Sequence, residues 1–454
     1  RMKYSTQNPT DLTVLREYNY HSNSEILSFI NESYSSWVAW RNSSFSKRSE
    51  SMLQLAEGLR AQKKELARLA ALEMGKPLNQ GEMEVNKCAD ACEFFAASAE
   101  KFLAEEEYQA HYKKSFVTYR PLGPVLLIMP WNFPFWQVIR AAVPAMMAGN
   151  TIFLKHAESV SGCAEKLAEV FKTAFHNNEF VNVRATHEQC HLFYSSPSVA
   201  GVSFTGSTEG GKKIASLASG NLKKIVLELG GSDPYIVLKD AEIEKAAEIC
   251  VNARLVNTGQ SCVAAKRFII EKPVFEEFKN LFIEKMKLKK MGNPLEDGID
   301  LGPLAAIRFV DQLETQVKKS IEKGARLEMG GKRGARGAFY EPTVLTAVTT
   351  EQPAFKEELF GPVAALIEAE SETQAIQLAN KSRFGLGAAI FTRDIERGRK
   401  IATNEIDAGY VIVNDSVKSD ARLPFGGVKE SGLGREIGPH GLREFCNVKT
   451  IGLG

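Results

Sequence analysis

The chain has 454 residues, with 57 Lys+Arg against 55 Asp+Glu and a formal charge of +2. At roughly 150 residues per domain the length suggests about three domains. Apolar residues make up 44% and charged residues 25%, a globular composition that excludes fibres, tails and basic nucleic-acid arms. The near-neutral balance predicts neither a nucleic-acid nor a membrane partner.

The first 24 residues are polar and mixed, without the apolar core of a secretory signal. Arg1 precedes Met2 and is left out of the reading. The most apolar stretch, Val125 to Met129, runs at once into Pro130, Asn132 and Pro134. A membrane span needs about 20 such residues. Seven scattered cysteines, an odd number, predict free thiols in a reducing compartment, the cytoplasm.

In chain order, two helical patterns come first. Ser49 to Met74 carries Met52, Leu55, Leu59, Leu66, Leu69 and Leu72 near helical spacing and stops at Gly75 and Pro77. Glu82 to Glu106 is Ala-rich. Ser115 to Met129 is β-rich, interrupted by Pro121 and Pro124. Strand and helix patterns then alternate from Thr151 to Val256 and again from Arg267 to Val413. Such alternation predicts an α/β class with mainly parallel sheets. Two runs divided near residue 230 predict two α/β domains.

Three segments could carry chemistry. In Pro130-Trp131-Asn132-Phe133-Pro134 an Asn is fixed between prolines after an apolar strand, either as an oxyanion donor or as an ordinary turn. In Leu227-Glu228-Leu229-Gly230-Gly231 a carboxylate lies between leucines, either a buried general base or a residue on the solvated face of an edge strand. Asn257-Thr258-Gly259-Gln260-Ser261-Cys262 places a cysteine in a polar loop after a helix ending at Gly259, either a nucleophile or buried filler. A fourth segment, Phe204-Thr205-Gly206-Ser207-Thr208, runs from strand to helix. Its N–H groups could hold a phosphate, or Ser207 could simply cap the helix. No G-x-G-x-x-G fingerprint occurs. His187, Cys190 and His191 lack a second cluster, so no metal is expected. Cys88 and Cys92 read as core filling on a helix.

These segments resemble the aldehyde dehydrogenase superfamily over nearly the whole chain. The matches are Pro130 to Pro134, Lys155 to Glu158, Phe204 to Ser207, Leu227 to Gly231, Gly259 to Cys262, Glu358 to Pro362, and Pro424 to Gly427 running on through Ser431, Gly432, Gly434, Arg435 and Glu436. The resemblance implies two Rossmann-like α/β domains plus a small β oligomerisation flap. Residues 1–102 and 122–230 would bind NAD, 231–430 would form the catalytic domain, and 103–121 with 431–454 would join subunits into a homodimer or homotetramer.

The resemblance makes Cys262 the nucleophile on an aldehyde substrate, Asn132 with the Cys262 N–H the oxyanion donors, and Glu228 the base that activates water for thioester hydrolysis. Relatives that pass the acyl group to coenzyme A generally lack that Glu. Trp131, Lys155, Glu158, Gly206, Ser207, Glu358 and Phe360 would hold the dinucleotide. A carboxylate at Glu158 would accept a ribose 2′-OH and repel a 2′-phosphate, so NAD is expected over NADP, with NADP possible. Arg140, two helical turns after Asn132, resembles the carboxylate-binding Arg of bacterial succinate-semialdehyde dehydrogenases; otherwise it is an ordinary helix Arg. Trp136, Ser419 and Phe425 would line the aldehyde tunnel. Better-known members have a second Arg six residues before the cysteine. Here that residue is Val256, and Arg254, Lys418 or Ser419 could compensate. The other readings are a broad aliphatic aldehyde dehydrogenase, a thiol esterase, and a non-catalytic protein of the same fold.

Overall fold

The computed structural model describes residues 2–454. Two large sheets follow one another along the chain. The first has six strands, in the order Gly432–Leu433, Lys224–Glu228, Gly201–Thr205, Val125–Met129, Ile152–His156, Phe180–Asn182. All neighbours are parallel except Gly432–Leu433, which pairs antiparallel with Lys224–Glu228. The three central strands are buried along their whole length, as helices covering both faces require.

The second sheet has seven strands, in the order Arg326–Met329, Thr343–Thr346, Val363–Ala369, Ala265–Glu271, Asp233–Val237, Gly387–Phe391, Tyr410–Val413. Only Arg326–Met329 runs antiparallel to its neighbour. Residues 229–232 carry the chain from the last strand of the first parallel run into the second sheet. The C-terminal edge of one sheet therefore feeds the N-terminal edge of the other. The α/β class with mainly parallel sheets expected from the alternation is what the structure shows.

A third sheet pairs Cys446–Leu453 with Lys114–Pro121 and Glu106–Glu107. The β-rich patch read as one unit is thus two strands in different sheets, because Pro121 and Pro124 break the ladder between them. The structure also divides the C-terminal segment: Gly432–Leu433 belongs to the first large sheet, not to the small one.

Two other expectations change at the N-terminus. A helix over Asn23–Arg41 was not anticipated; Ser22 and Glu25 form a reciprocal capping box at its start. The single helix expected over Ser49 to Met74 is two, Phe45–Ala61 and Lys63–Met74, joined at Gln62. The break re-phases the apolar stripe, so Leu55 and Leu59 on one helix and Leu66 and Ala70 on the other join the same core around Leu78–Phe102. Among the described residues no helix is long and apolar enough to cross a membrane.

Candidate active site

Val125–Met129 lies between Ile152–His156 and Gly201–Thr205, so the connections run outward in opposite directions from it. Ligands of open α/β sheets bind beyond the carboxyl ends of strands at such a point. Residues 130–134, 157–158, 206–207 and 229–231 all leave those carboxyl ends. Four of the segments singled out in the sequence are therefore neighbours for topological reasons.

The cysteine loop reaches them from the second sheet. The helix Ile243–Leu255 stops before Gly259, and Asn257, Thr258 and Gly259 take left-handed backbone with φ of 53°, 57° and 77°. Left-handed backbone costs a non-glycine residue about 1–2 kcal/mol, so the loop must be held. Asn257 Nδ2 donates to the carbonyls of Asn132 (2.8 Å) and Gln260 (3.0 Å). Thr258 Oγ1 accepts from Gly302 N at 3.1 Å. Arg254 Nη2 donates to the Gly259 carbonyl at 2.7 Å. Lys266 Nζ donates to the carbonyls of Ser261 (2.9 Å) and Cys262 (3.0 Å). At Gly259 a β-carbon would lie 2.1 Å from the Gly361 oxygen, so glycine is required there by space as well as by φ.

Asn132 is buried and donates one amide N–H to the Gln260 carbonyl at 3.2 Å. Its second N–H stays free for an oxyanion. The Cys262 backbone N–H has no acceptor among the described residues. The Asn132 turn is pinned by His156, whose Nδ1 accepts from Ala157 N (2.9 Å) and whose Nε2 donates to the Pro134 carbonyl (2.8 Å). Burial pushes His156 down to about 4, which keeps the ring neutral and in one tautomer. Glu84 accepts the N–H groups of Phe135 and Trp136 at the next helix start and is paired with Lys76.

Cys262 is half-buried in the wall of a cavity of about 960 Å³ that it shares with Phe133, Trp136, Tyr410 and Phe425. Burial pushes its thiol up to about 11, although Arg140 and Lys266 pull it down. Burial thus disfavours the thiolate, and the proton has to leave before the sulfur can attack.

Glu228 ends its strand 1% exposed, and neither carboxyl oxygen has a hydrogen-bond partner. The solvated-edge reading fails because Gly432–Leu433 pairs beyond it. Burial and the neighbouring Glu436 hold its carboxyl well above the usual range, against Arg140 and Arg435. Glu436 is paired with Arg140 and accepts from Ser203 Oγ at 3.0 Å. This buried set of two carboxyls and one guanidinium is neutral when Glu228 keeps its proton. Glu228 is not among the walls of the Cys262 cavity; its carboxyl lies beside Gly426, where a β-carbon would come within 2.9 Å of Oε1.

Arg140 is less free than its sequence position suggests. Nε is on Glu436, Nη2 donates to Thr205 Oγ1 at 3.2 Å, and the guanidinium lies 4.6 Å from the Phe425 ring centre. It lines the cavity with Trp136, Ser419 and Phe425. Arg254 does not stand in for the missing second Arg: it is buried outside the walls of the cavity, and its Nη1 and Nη2 donate to the carbonyls of Val363 and Gly259.

On the dinucleotide side, Ser207 caps Thr208–Gly220 by accepting from Gly210 N at 3.1 Å, so the capping reading is realised while its own proton remains to donate. Gly206 N donates to the Glu228 carbonyl at 3.0 Å. The Lys155 side chain, 3% exposed, has no acceptor among the described residues, and burial lowers its ammonium against the pull of Cys190 and Glu158. A buried ammonium without an acceptor suits a ribose hydroxyl or phosphate. Glu158 accepts from Tyr20 Oη. Glu358 accepts from Gly231 N, and a β-carbon on Gly230 would come within 2.4 Å of its carboxylate. Trp131 stands edge-on to Phe360 with ring centres 5.8 Å apart.

The supporting residues Asn257, Lys266, His156 and Glu436 carried no assigned role in the sequence reading. Asn257 next to Gly259 was a usable signal, since Asn tolerates left-handed backbone. Nothing local marks Pro134 as a partner of His156 or Arg140 as the partner of Glu436.

The family model described as "Aldehyde dehydrogenase family" matches residues 1–451. The chain belongs to the aldehyde dehydrogenase family. It is 44% identical over 414 residues to a succinate semialdehyde dehydrogenase named for NAD(P)+ from Escherichia coli K12, covering 91% of this chain and 89% of that protein. A probable succinate-semialdehyde dehydrogenase named for NADP+ from Synechocystis is 41% identical, with 99% of each chain covered. The crystal structure of succinic semialdehyde dehydrogenase from Streptococcus pyogenes with NADP+ superposes with a TM-score of 0.96 at 31% identity over 99% of each chain. This aldehyde dehydrogenase is accordingly an NAD(P)-dependent enzyme.

Proposed function

We propose that this aldehyde dehydrogenase oxidises succinate semialdehyde to succinate. The observation carrying the reading is a cysteine in the wall of a large, cation-bearing cavity, beside an amide with one uncommitted N–H. Cys262 gives its thiol proton to water in the cavity, and the thiolate Sγ attacks the aldehyde carbon. The free N–H of Asn132 and the Cys262 N–H hold the oxyanion, a contribution of about 3–4 kcal/mol per donor. Bound NAD(P) supplies the hydride acceptor. Cys262 then carries a thioester, and Glu228, swung out from beside Gly426 and ionised once its carboxyl reaches water, takes a proton from the attacking water. Lys155, Glu158, Ser207, Glu358 and Phe360 with Trp131 and Gly206 form the dinucleotide cradle in this reading.

Trp136 and Phe425 are the apolar walls, and the tail carboxylate falls to the tunnel cations. Arg140 has given Nε to Glu436 and one Nη2 N–H to Thr205, so its part falls to the remaining Nη N–H groups. The test is an equal-length pair of substrates. Succinic semialdehyde is expected to exceed butanal in kcat/KM by about tenfold or more; equal values favour the broad aliphatic reading.

NAD is proposed as the preferred cofactor, because the Glu158 carboxylate would face a 2′-phosphate. The relatives named for NADP+ stand against this. A ratio of kcat/KM for NAD over NADP above one is expected, and a ratio below one refutes the Glu158 argument. We also propose a homodimer or homotetramer joined through the exposed sheet of Cys446–Leu453 and Lys114–Pro121. The seven free cysteines support a reducing compartment, the cytoplasm.

A further inference from the structure

Four cations line the Cys262 cavity: Lys76, Lys87, Arg140 and Lys418. Lys76 is paired with buried Glu84. Arg140 is paired with buried Glu436. Lys418 has a side chain 73% exposed and stands 3.9 Å from Asp415. Among the described residues, Lys87 has no carboxylate within ion-pair distance. It is half-buried on the helix Leu78–Phe102. A cation taken partly out of water without a counter-ion is costly unless something supplies the missing charge.

Its surroundings specify what that is. Lys87 Nζ donates to Ser419 Oγ at 2.7 Å and lies 4.4 Å from the Trp136 ring centre. Trp136 Nε1 donates to the same Ser419 Oγ at 3.0 Å. With both lone pairs taken, the Ser419 hydroxyl must direct its own proton elsewhere. Lys87 keeps N–H groups beyond the one on Ser419. The cavity wall thus offers, side by side, an ammonium with N–H groups to spare and a hydroxyl with its proton to donate, which is a carboxylate-binding pair.

We propose that Lys87, with the Ser419 hydroxyl it orients, is the residue that binds the substrate's tail carboxylate and sets the enzyme's preference for semialdehydes over plain aldehydes. The inference rests on the semialdehyde reading above. It assigns Arg140 a different part: its charge belongs to Glu436, and it organises the Glu228 end of the site.

Charge around Lys87 adds a pH signature. Burial, then Arg140 on the facing helix, push its ammonium down to about 8, while Cys88 and Glu84 on its own helix and Asp420 in the loop after Val413 oppose this. The ratio of KM for succinic semialdehyde to KM for butanal should therefore climb as pH rises above 8.

The test measures KM and kcat for succinic semialdehyde and butanal in the wild type, Lys87→Met, Lys87→Gln and Lys87→Arg. Met and Gln are each expected to raise KM for the semialdehyde at least about tenfold more than for butanal, and Arg to recover most of that difference. Gln keeps a donor for Ser419, so it separates loss of charge from loss of architecture if Met folds poorly. A wild type that prefers succinic semialdehyde while Met and Gln shift both substrates alike overturns the role of Lys87. A wild type without that preference overturns the semialdehyde reading itself.

Discussion

Cys262→Ala is expected to lower kcat by about five to six orders of magnitude, the scale lost when an enzyme's covalent nucleophile is removed. The side chain is half-buried, so the loss should leave the melting temperature and NAD(P) affinity close to those of the wild type. Loss of binding together with activity would instead point to a structural cysteine. The thiol pushed up to about 11 makes a second result expected in the apoenzyme. Alkylation by iodoacetamide should speed up about tenfold per pH unit between 7 and 10, because the thiolate is the reacting form. The six other cysteines are buried, so mass spectrometry should find the label at one position. A rate that levels off near pH 7 would show a preformed thiolate and remove the proton transfer from the first step.

Glu228→Gln should divide the reaction at the thioester. Reduced cofactor is expected to appear in a burst of one equivalent per subunit, followed by turnover about 10²–10⁴-fold slower than wild type. An acyl adduct on Cys262 should be detectable by mass. Unchanged steady-state turnover would show that another group activates the water. The same substitution has a stability readout with a defined sign. Burial holds the Glu228 carboxyl above its unfolded value, so the folded chain binds the extra proton. That contribution is complete below the unfolded carboxylate range and is lost as pH rises through the raised value. The Gln side chain cannot titrate, so the variant should gain melting temperature relative to wild type as pH rises above the ordinary carboxylate range. A difference that does not change with pH would place Glu228 in water.

These outcomes mark how far the sequence could be read. The alternation after Thr151 was legible because parallel strands buried on both faces are short apolar runs separated by helices. The helix Asn23–Arg41 was not, since two positions of its buried stripe are the serines Ser33 and Ser36. The kink at Gln62 was hidden for the opposite reason: an apolar pattern continues across it, and only packing on Leu78–Phe102 shows that the phase has changed. Arg140 shows the limit most directly. It lines the Cys262 cavity, but its partner Glu436 lies 296 residues away.

The residue types and order of Asn132, Glu228 and Cys262 are properties of the sequence, and so is the α/β alternation, because each is carried by neighbours a few positions apart. Their charge states and free donors are not. They follow from which group burial places beside which: Glu436 against Glu228, Gln260 taking one N–H of Asn132, Ser419 filled from two sides. Local periodicity encodes a strand or a helix, while a pKa or an open hydrogen-bonding position depends on desolvation and on atoms brought close by folding.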